Sequence, residues 1–312
     1  MEHLTIGVFH DTDIAKELGK KGTESDIRMY NKKTDDMVYS FMEPVEDKII
    51  PKAQIIGSID AAVLSMENMG PSVGETILML DHFGVSKGIL IPPPFSDPEQ
   101  IKGLVKDTCL NDYDIMEKDT KVIMSWLEKL KIDRSALQDL PVVVSVDHSF
   151  SVKGVGEVIL GLVDQGTVRK HDKLELLPIG KEVVVRSIQM QDRDFNEAGP
   201  GCRVGLAIKN ATAEEMRRGS LFSPPGTVAA TDKLELDFKK SGFYTKELQD
   251  VMCHLISGMA HSSGKVSSAS GNNLSIALDK SIALIPGRKS IILDLNAPKS
   301  RVIGSGIFQV FQ

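Results

Sequence analysis

The histidines and cysteines of this chain are its most reactive side chains, and their spacing limits the chemistry they can support. The three cysteines, Cys109, Cys202 and Cys253, are scattered and show neither metal-ligand spacing nor enough members for a disulfide framework. His254 and His261 could pair across a turn, but no third ligand is nearby in the sequence. No order of Ser, His and Asp typical of a hydrolase is present. The spacing therefore predicts neither catalytic residues nor a metal site.

Residues 1–138 alternate strand and helix patterns. Apolar runs that predict buried strands cover residues 4–9, 61–66 and 88–92, and helical patterns cover residues 11–21, 72–83 and 119–130. A further helix should begin at Asp97, where an N-cap residue is followed by Pro98 and, at the capping-box position, by Gln100. Alternating strands and helices predict a mostly parallel sheet that is covered on both faces.

After Pro141 the pattern changes to short β-branched runs separated by Gly, Asp and Lys turns, which is typical of a β-barrel. The linker Pro224-Pro225-Gly226 then separates this region from a second group of predicted strands. These later runs cover residues 234–238, 274–278, 290–295 and 307–311. The sequence thus predicts three domains, with boundaries at residues 1–138, 139–223 and 224–312.

Nearly all of residues 141–222 resemble domain 2 of elongation factor Tu, with the glycines in register. The resemblance is carried by residues 142–161, 166–178, 185–189, 198–209 and 218–222, and it is closer to the archaeal selenocysteine-specific elongation factor. Residues 301–306, Arg-Val-Ile-Gly-Ser-Gly, resemble domain 3 of the same family more loosely. The resemblance implies a multidomain α/β + β fold. A Rossmann-like, P-loop GTPase-type α/β domain in degenerate form would be followed by two β-barrels of the domain 2 and domain 3 type.

The GTP-binding motifs that the resemblance implies are degenerate. The phosphate loop, Gly-x-x-x-x-Gly-Lys-Thr in the family, corresponds to residues 10–17, where Lys16 keeps the lysine but both glycines are absent and Glu17 replaces the magnesium-holding hydroxyl. Glycine is needed there because backbone N–H groups must approach phosphate closely, and a glutamate would repel phosphate. The guanine-reading motif at residues 94–97 keeps only Asp97. The second-switch motif Asp-x-x-Gly has no counterpart between Val45 and Asp60.

These departures predict a pseudo-GTPase that is not an enzyme and that needs neither GTP nor magnesium. Simpler interpretations of the two retained residues stay open. Lys16 would be an ordinary surface lysine on the first helix, and Asp97 would be a helix N-cap.

The resemblance also implies a pocket for the aminoacyl end of tRNA, which the family's domain 2 barrel forms together with the GTPase domain. By position, the residues that would contact RNA there are His148, His171, Arg186 and Arg203. Arginine suits such a pocket because its planar fork pairs with phosphate or carboxylate through two hydrogen bonds. The simpler alternative places both arginines on outward faces of strands and both histidines at turns.

The charge distribution indicates where a partner could bind. The net charge of −6 argues against a broad surface that coats nucleic acid. Residues 1–141 carry 25 acidic and 16 basic side chains, whereas residues 224–312 carry 7 acidic and 10 basic ones. Any RNA contact is therefore expected on the two later domains, residues 139–223 and 224–312. The sequence shows no membrane span or signal peptide, and its few scattered cysteines fit a reducing cytoplasm.

The favoured function is that of a translation elongation factor-like protein that binds tRNA, another RNA or the translation machinery independently of nucleotide. A fourth domain like that of the selenocysteine factor is not expected, since the chain ends with the second barrel. One alternative is a divergent GTPase that uses Lys16, Glu17 and Asp97 in a rebuilt loop. The other is a protein-interaction regulator that mimics a translation factor and docks its acidic front domain on a basic surface.

Overall fold

A computed structural model describes residues 2–308 of the chain and divides them into two compact units. Unit one contains residues 2–132, 239–247 and 289–305. Unit two contains residues 133–238, 248–288 and 306–308. The three domain boundaries expected from the sequence remain predictions, because this division joins two later segments to the front of the chain.

Unit one is built on a seven-stranded sheet. Its strands are β1 (Glu2–Phe9), β2 (Lys20–Glu24), β3 (Ile27–Lys33), β4 (Met37–Pro44), β5 (Ala61–Ser65), β6 (Gly88–Ile91) and β7 (Asp114–Ile115). They follow the order β2-β3-β4-β1-β5-β6-β7. Five neighbouring strands are parallel, namely β4, β1, β5, β6 and β7. At one end of the sheet β3 pairs antiparallel with β4, and β2 pairs antiparallel with β3. The predicted mostly parallel sheet is confirmed.

Five α-helices and a short 3-10 helix accompany this sheet. They are α1 (Ile14–Leu18), α2 (Ile49–Ile56), α3 (Pro71–Phe83), α4 (Pro98–Val105), the 3-10 helix Cys109–Asp112 and α5 (Thr120–Lys129). Strand β1 is buried over Leu4, Ile6 and Val8, which pack in one core with Ile123 and Leu127 of α5. A parallel strand covered on both faces must be almost continuously apolar, which explains this run.

The sequence prediction differs from the structure of unit one at several places. The helix predicted over residues 11–21 covers only Ile14–Leu18, because Gly19 adopts an extended backbone and Lys20 begins β2. Strands β2, β3, β4 and β7 were not predicted. Helix α2 was missed as well, because its run Ile-Ile-Pro-Lys-Ala-Gln-Ile-Ile is too uniformly apolar to show a helical stripe.

Unit two begins with helix α6 (Ser135–Gln138) and contains the first barrel. Its strands are β8 (Val143–Val152), β9 (Gly156–Gln165), β10 (Val168–Arg169), β11 (Lys173–Leu177), β12 (Lys181–Met190), β13 (Arg193–Phe195), β14 (Glu197–Ala198), β15 (Arg203–Lys209) and β16 (Leu221–Ser223). The main sheet runs β11-β16-β8-β9-β15-β12-β13, and β11 also pairs with β12, which closes the barrel. The expected β-barrel after residue 141 is confirmed.

The remaining strands form a closed barrel in the order β17-β20-β19-β18-β21-β22. They are β17 (Ala229–Lys240), β18 (Met252–Ser257), β19 (Ala260–Ser270), β20 (Asn273–Leu284), β21 (Lys289–Leu293) and β22 (Val302–Phe308). The predicted strands at residues 234–238, 274–278 and 290–295 fall within or largely within them. Of the run predicted at residues 307–311, the first two residues end β22, and residues 309–311 lie outside the described part of the chain.

Candidate functional site

The loops that follow the parallel strands of unit one meet at the carboxyl edge of its sheet. They are residues 10–13 after β1, 45–48 after β4, 66–70 after β5 and 92–97 after β6. In open α/β sheets this edge is where ligands bind, and in the GTPase class the phosphate loop follows the first strand. The side chains at this edge therefore determine whether a nucleotide could bind there.

Asp11 fills the centre of the loop after β1. Its Oδ1 atom accepts the backbone N–H groups of Asp13 at 2.9 Å and Ile14 at 3.0 Å, and its Oδ2 atom lies 2.6 Å from Lys118 Nζ. Burial alone would raise the pKa of Asp11. The hydrogen bonds from Lys118, Ile14 and Asp13 outweigh burial and hold that pKa below its ordinary value. An internal carboxylate thus takes the backbone donors that a phosphate loop offers to its ligand.

His10 begins the same loop with a left-handed backbone, φ 60°. Its Nε2 atom lies 2.9 Å from Thr76 Oγ1, and that hydroxyl donates to the Ser72 carbonyl at 2.9 Å. Because the hydroxyl proton is used on Ser72, the ring N–H of His10 is the donor to Thr76. Burial, followed by the positive charge of Lys52, lowers the pKa of His10 to about 4.

Lys52 of α2 is the fully buried cation at this edge, with a side chain that is 0% exposed. Its ammonium donates to Asp47 Oδ1 at 2.7 Å and to Ser72 Oγ at 2.6 Å. Burial lowers the pKa of Lys52, and the hydrogen bond to Asp47 opposes that change. These contacts join α2, the loop after β4 and the start of α3 in one polar network, here called the Lys52 network, which includes His10 and Thr76.

Arg301, in a later segment of unit one, forms an ion pair with Glu75 of helix α3. Arg301 Nε lies 2.9 Å from Glu75 Oε1, Arg301 Nη2 lies 2.5 Å from Glu75 Oε2, and the backbone N–H of Arg301 donates to Oε1 at 3.0 Å. A guanidinium held by two parallel hydrogen bonds has a fixed orientation. Residues 301–306, which loosely resemble domain 3, are therefore connected at Arg301 to helix α3 by an ion pair.

The two residues expected to be vestiges of a nucleotide site lie at different helices of unit one, Lys16 within α1 and Asp97 at the start of α4. Lys16 is exposed on α1 and borders an open depression of about 450 Å³ with Thr12, Asp13, Gly19, Lys21, Arg28 and Tyr30. Asp97 caps α4, and its Oδ1 atom accepts the Glu99 N–H at 3.0 Å. Both positions fit the simpler interpretations, an exposed lysine and a helix cap.

The four residues proposed for an RNA pocket have different surroundings in the first barrel. Arg186 is exposed on β12 and donates to the Val155 carbonyl at 2.9 Å. His171 is exposed in a turn with φ 74°, and its backbone N–H donates to the carbonyl of Val185, the neighbour of Arg186. These two therefore lie on adjacent backbone segments. The expected outward Arg186 and the expected turn at His171 are confirmed.

Arg203 and His148 contradict the simpler interpretation. Arg203 is not outward: its side chain is 9% exposed and forms an ion pair with Asp147, which is 5% exposed. The reason is strand packing. Strand β9 lies between β15 and β8, so Arg203 of β15, which pairs with Leu162 of β9, and Asp147 of β8 lie on either side of β9. Burial lowers the pKa of Arg203 to about 10. His148 lies within β8 beside a bulge rather than at a turn, and it is half-buried.

The Lys52 network was missed by sequence reasoning, because its members come from four separate segments. The sequence did contain one signal, a single lysine in the otherwise apolar and amide-containing run of α2. A buried lysine needs partners, so such a residue marks a position where polar groups must converge. Among residues 2–308 no three His, Cys, Asp or Glu side chains are grouped as a metal ion would require. No helix in that range is long and apolar enough to cross a membrane.

Replacing Asp11 with Ala is expected to cost about 1 kcal/mol of the free energy of unfolding, because two backbone N–H groups and Lys118 lose their acceptor. Urea unfolding at neutral pH measures this cost. Thr12→Ala, at the exposed neighbouring position, is the matched control and should change little. Equal stability of wild type and Asp11→Ala would contradict the role of Asp11 as the acceptor in this loop.

Comparison with known proteins agrees with this architecture. The Elongation factor Tu domain 2 family matches residues 156–223. The solved structure of translation elongation factor SelB from Methanococcus maripaludis, in complex with the GTP analogue GppNHp, matches with a TM-score of 0.83. That match is at 23% identity and covers 100% of this chain and 80% of that chain. The crystal structure of a bacterial selenocysteine-specific elongation factor, EF-Sec, matches with a TM-score of 0.80 at 20% identity, over 99% of this chain and 58% of that one. The protein thus has the fold of these translation elongation factors, and its first barrel matches the Elongation factor Tu domain 2 family.

Two curated relatives come from Methanocaldococcus jannaschii. The selenocysteine-specific elongation factor is 30% identical over 240 residues, which are 69% of this chain and 50% of that protein. This chain therefore matches only half the length of that factor. The uncharacterized protein MJ0325 is 36% identical over 310 residues, which are 98% of this chain and 99% of that protein. The chain belongs to the family of MJ0325, with elongation factor Tu-like and SelB-like architecture.

Proposed function

We propose that this protein is a translation elongation factor-like RNA-binding protein whose binding does not depend on GTP, and that its front domain is a pseudo-GTPase. The RNA class favoured is tRNA, because the first barrel matches the Elongation factor Tu domain 2 family. Neither GTP nor magnesium is needed in this proposal. RNA would bind in the same way whether nucleotide is present or absent.

The observation that carries the proposal is that the protein's own side chain, Asp11, accepts the backbone hydrogen bonds of the loop after β1. Asp11 accepts the N–H groups of Asp13 and Ile14, so those donors do not face a ligand. The Asp11 carboxylate would also repel a triphosphate at this place, because like charges at short range are costly away from bulk water. Glu17 adds a second negative charge at the position where the class holds magnesium.

The Lys52 network supports independence from nucleotide. In GTPases the γ-phosphate orders the switch segments, and hydrolysis releases them. Here α2 follows β4 directly and is tied by Lys52 to Asp47 and Ser72 without any ligand. The Glu75–Arg301 ion pair adds a further ligand-independent contact to α3. A segment held by its own side chains has no reason to respond to GTP.

The RNA-binding part of the proposal rests on Arg186 and His171. Both are exposed, and their backbones are neighbours through the bond from His171 to Val185. An exposed arginine and an exposed imidazole on neighbouring backbone segments can contact phosphate and sugar groups of RNA. Arg203 is assigned no direct role, since its guanidinium is engaged with Asp147.

The test is equilibrium binding of the purified protein to aminoacylated and deacylated tRNA, each with and without GTP and Mg²⁺. We expect the same Kd with and without nucleotide. Arg186→Ala should weaken binding and lower its salt dependence by about one phosphate contact. Arg169→Ala is the matched control, because Arg169 is an exposed arginine of the same barrel that is paired with Glu197.

Direct titration with a fluorescent GTP analogue distinguishes the divergent GTPase from the pseudo-GTPase. We expect no saturable binding to the wild type or to Lys16→Ala. Saturable GTP binding that Lys16→Ala weakens would establish the divergent GTPase instead. Absence of tRNA binding in every condition would reject the RNA proposal.

One observation favours a protein-interaction role as a second candidate. Phe95 is fully exposed, and it holds a left-handed backbone at φ 62° beside Pro92-Pro93-Pro94. Strained backbone positions cluster at functional sites, and aromatic residues are enriched among interface anchors. The neighbouring Asp97 and Glu99, together with the acidic front domain, fit a partner with a basic rim.

A further inference from the structure

The two later segments of unit one, residues 239–247 and 289–305, are basic, whereas the front of the chain is acidic. Residues 239–247 read Lys-Lys-Ser-Gly-Phe-Tyr-Thr-Lys-Glu. Together the two segments contain two acidic side chains and six basic ones, which are Lys239, Lys240, Lys246, Lys289, Lys299 and Arg301. Positive charge in unit one is therefore concentrated in these segments, and the first of them also carries an aromatic residue at an exposed turn.

Phe243 is that aromatic residue, and its side chain is 67% exposed. The N–H group of Tyr244 donates to the Ser241 carbonyl at 3.1 Å, which closes a turn around Phe243. The Tyr244 hydroxyl donates to Asp294 Oδ2 at 2.9 Å, and the Lys246 ammonium donates to the same oxygen at 2.9 Å. These bonds anchor the turn to a buried carboxylate. The exposed ring is thus presented on a fixed backbone, which lowers the entropy cost of binding a planar group.

Lys240 lies over the same turn. Its Nζ atom is 5.8 Å from the centroid of the Tyr244 ring and donates to the Lys246 carbonyl at 3.1 Å. An ammonium group has three donors, and this bond uses one of them. The contact therefore holds a positive charge close to Phe243 and leaves donors for an anionic partner.

Two further exposed lysines extend the positive charge toward the end of α3. Burial lowers the pKa of His82, against the opposing charge of Asp81. The charges of Lys239 and Lys289 lower that pKa further, so both ammonium groups lie near the end of this helix. A Cβ atom added at Gly84 would lie 3.0 Å from Lys289 Nζ, which places this lysine at the last turn of α3.

We propose that residues 239–247 bind an unpaired segment of RNA, with one base stacked on Phe243 and backbone phosphates beside Lys239 and Lys240. Proteins bind single strands by this combination of an aromatic platform and positive charge along the backbone. Bases within a duplex do not offer their faces to a side chain, so the segment must be unpaired. The inference rests on the proposed RNA binding for the class of partner, and it adds a contact outside the first barrel.

The test is fluorescence anisotropy of a labelled oligouridylate of about twelve nucleotides, titrated with the full chain at several salt concentrations. Phe243→Leu, which removes the ring but keeps an apolar side chain, should weaken binding roughly tenfold, whereas Phe243→Tyr should keep the wild-type Kd. Lys240→Ala should lower the slope of log K against log salt by about 0.7. Lys121→Ala, at an exposed lysine of α5, is the matched control and should leave that slope unchanged.

A fluorescent reporter at the turn separates this site from the first barrel. The chain has a single tryptophan, Trp126, so Trp126→Phe combined with Phe243→Trp leaves one reporter at the proposed stacking position. Oligouridylate should quench its fluorescence saturably, and Arg186→Ala in the same background should not alter that quenching. Urea unfolding of each variant verifies that the fold is intact.

The outcomes distinguish this inference from the proposed function. Quenching by oligouridylate without any binding of tRNA would support the site at Phe243 and reject the tRNA proposal. Equal oligouridylate affinities of the wild type and Phe243→Leu, or no quenching of the reporter, would overturn the inference even if tRNA binds through Arg186.

Discussion

Acidification from pH 7 is expected to destabilise the protein by about 2 kcal/mol at pH 5 and about 3 kcal/mol at pH 4 through His10 alone. The folded-state pKa of His10 is about 4, against 6.5 for an ordinary histidine. The unfolded chain therefore takes up the proton first as the pH falls. The stabilising contribution of neutral His10 is complete above the unfolded pKa and is lost as the pH falls toward the folded pKa.

The measurement is urea unfolding of the wild type and of His10→Gln between pH 4 and 8. The difference in the free energy of unfolding between the two proteins should be constant above pH 7.5, which is an internal control, and should shrink in acid. The NMR resonance of the His10 ring should titrate in the folded protein with a midpoint near 4. A midpoint near 6.5 would show that Lys52 and burial do not act on this ring as the structure implies.

Arg203→Met is expected to cost about 3–5 kcal/mol of the free energy of unfolding, the largest loss we expect from any single substitution proposed here. Asp147 is 5% exposed and would keep a buried negative charge without its ion-pair partner. The double variant Arg203→Met, Asp147→Leu removes both charges and should recover a large part of that loss, since a pair of apolar groups needs no compensation. Chemical unfolding at pH 7 measures all three proteins.

Arg169→Met is the matched control for Arg203→Met. Arg169 pairs with Glu197 in the same barrel, but both side chains are 61% exposed, so the loss should be below about 1 kcal/mol. Similar losses at the two arginines would mean that the Arg203–Asp147 pair is solvated in the folded protein. A loss at Arg203→Met that the double variant does not reduce would show that packing rather than charge is responsible.

These two predictions concern residues that the sequence treated differently. Arg203 was predicted to contact RNA by its position in the resemblance, whereas the structure shows it in a buried ion pair. His10 was noted only as the first residue of a degenerate phosphate loop, whereas the structure places it against Thr76 and near Lys52. Sequence position singled out both residues but could not predict the environments of their side chains.

The sequence by itself determined the features that depend on short stretches of chain. The β-branched runs after Pro141 predicted the first barrel, and Asp97 followed by Pro98 predicted the start of α4, because backbone preferences and capping act within a few residues. The resemblance to the elongation factor Tu class rested on turn glycines in register. The prediction that the phosphate loop is degenerate rested on the same kind of local comparison.

Only the tertiary structure decided which polar groups are paired. Asp47, Lys52 and Ser72 lie in three different segments, and they meet because parallel strands deliver their following loops to one edge. The hairpin register, which depends on the turn, set the 3.0 Å approach of His254 and His261. Desolvation depends on everything that packs around a charge, and no local window of sequence contains those neighbours.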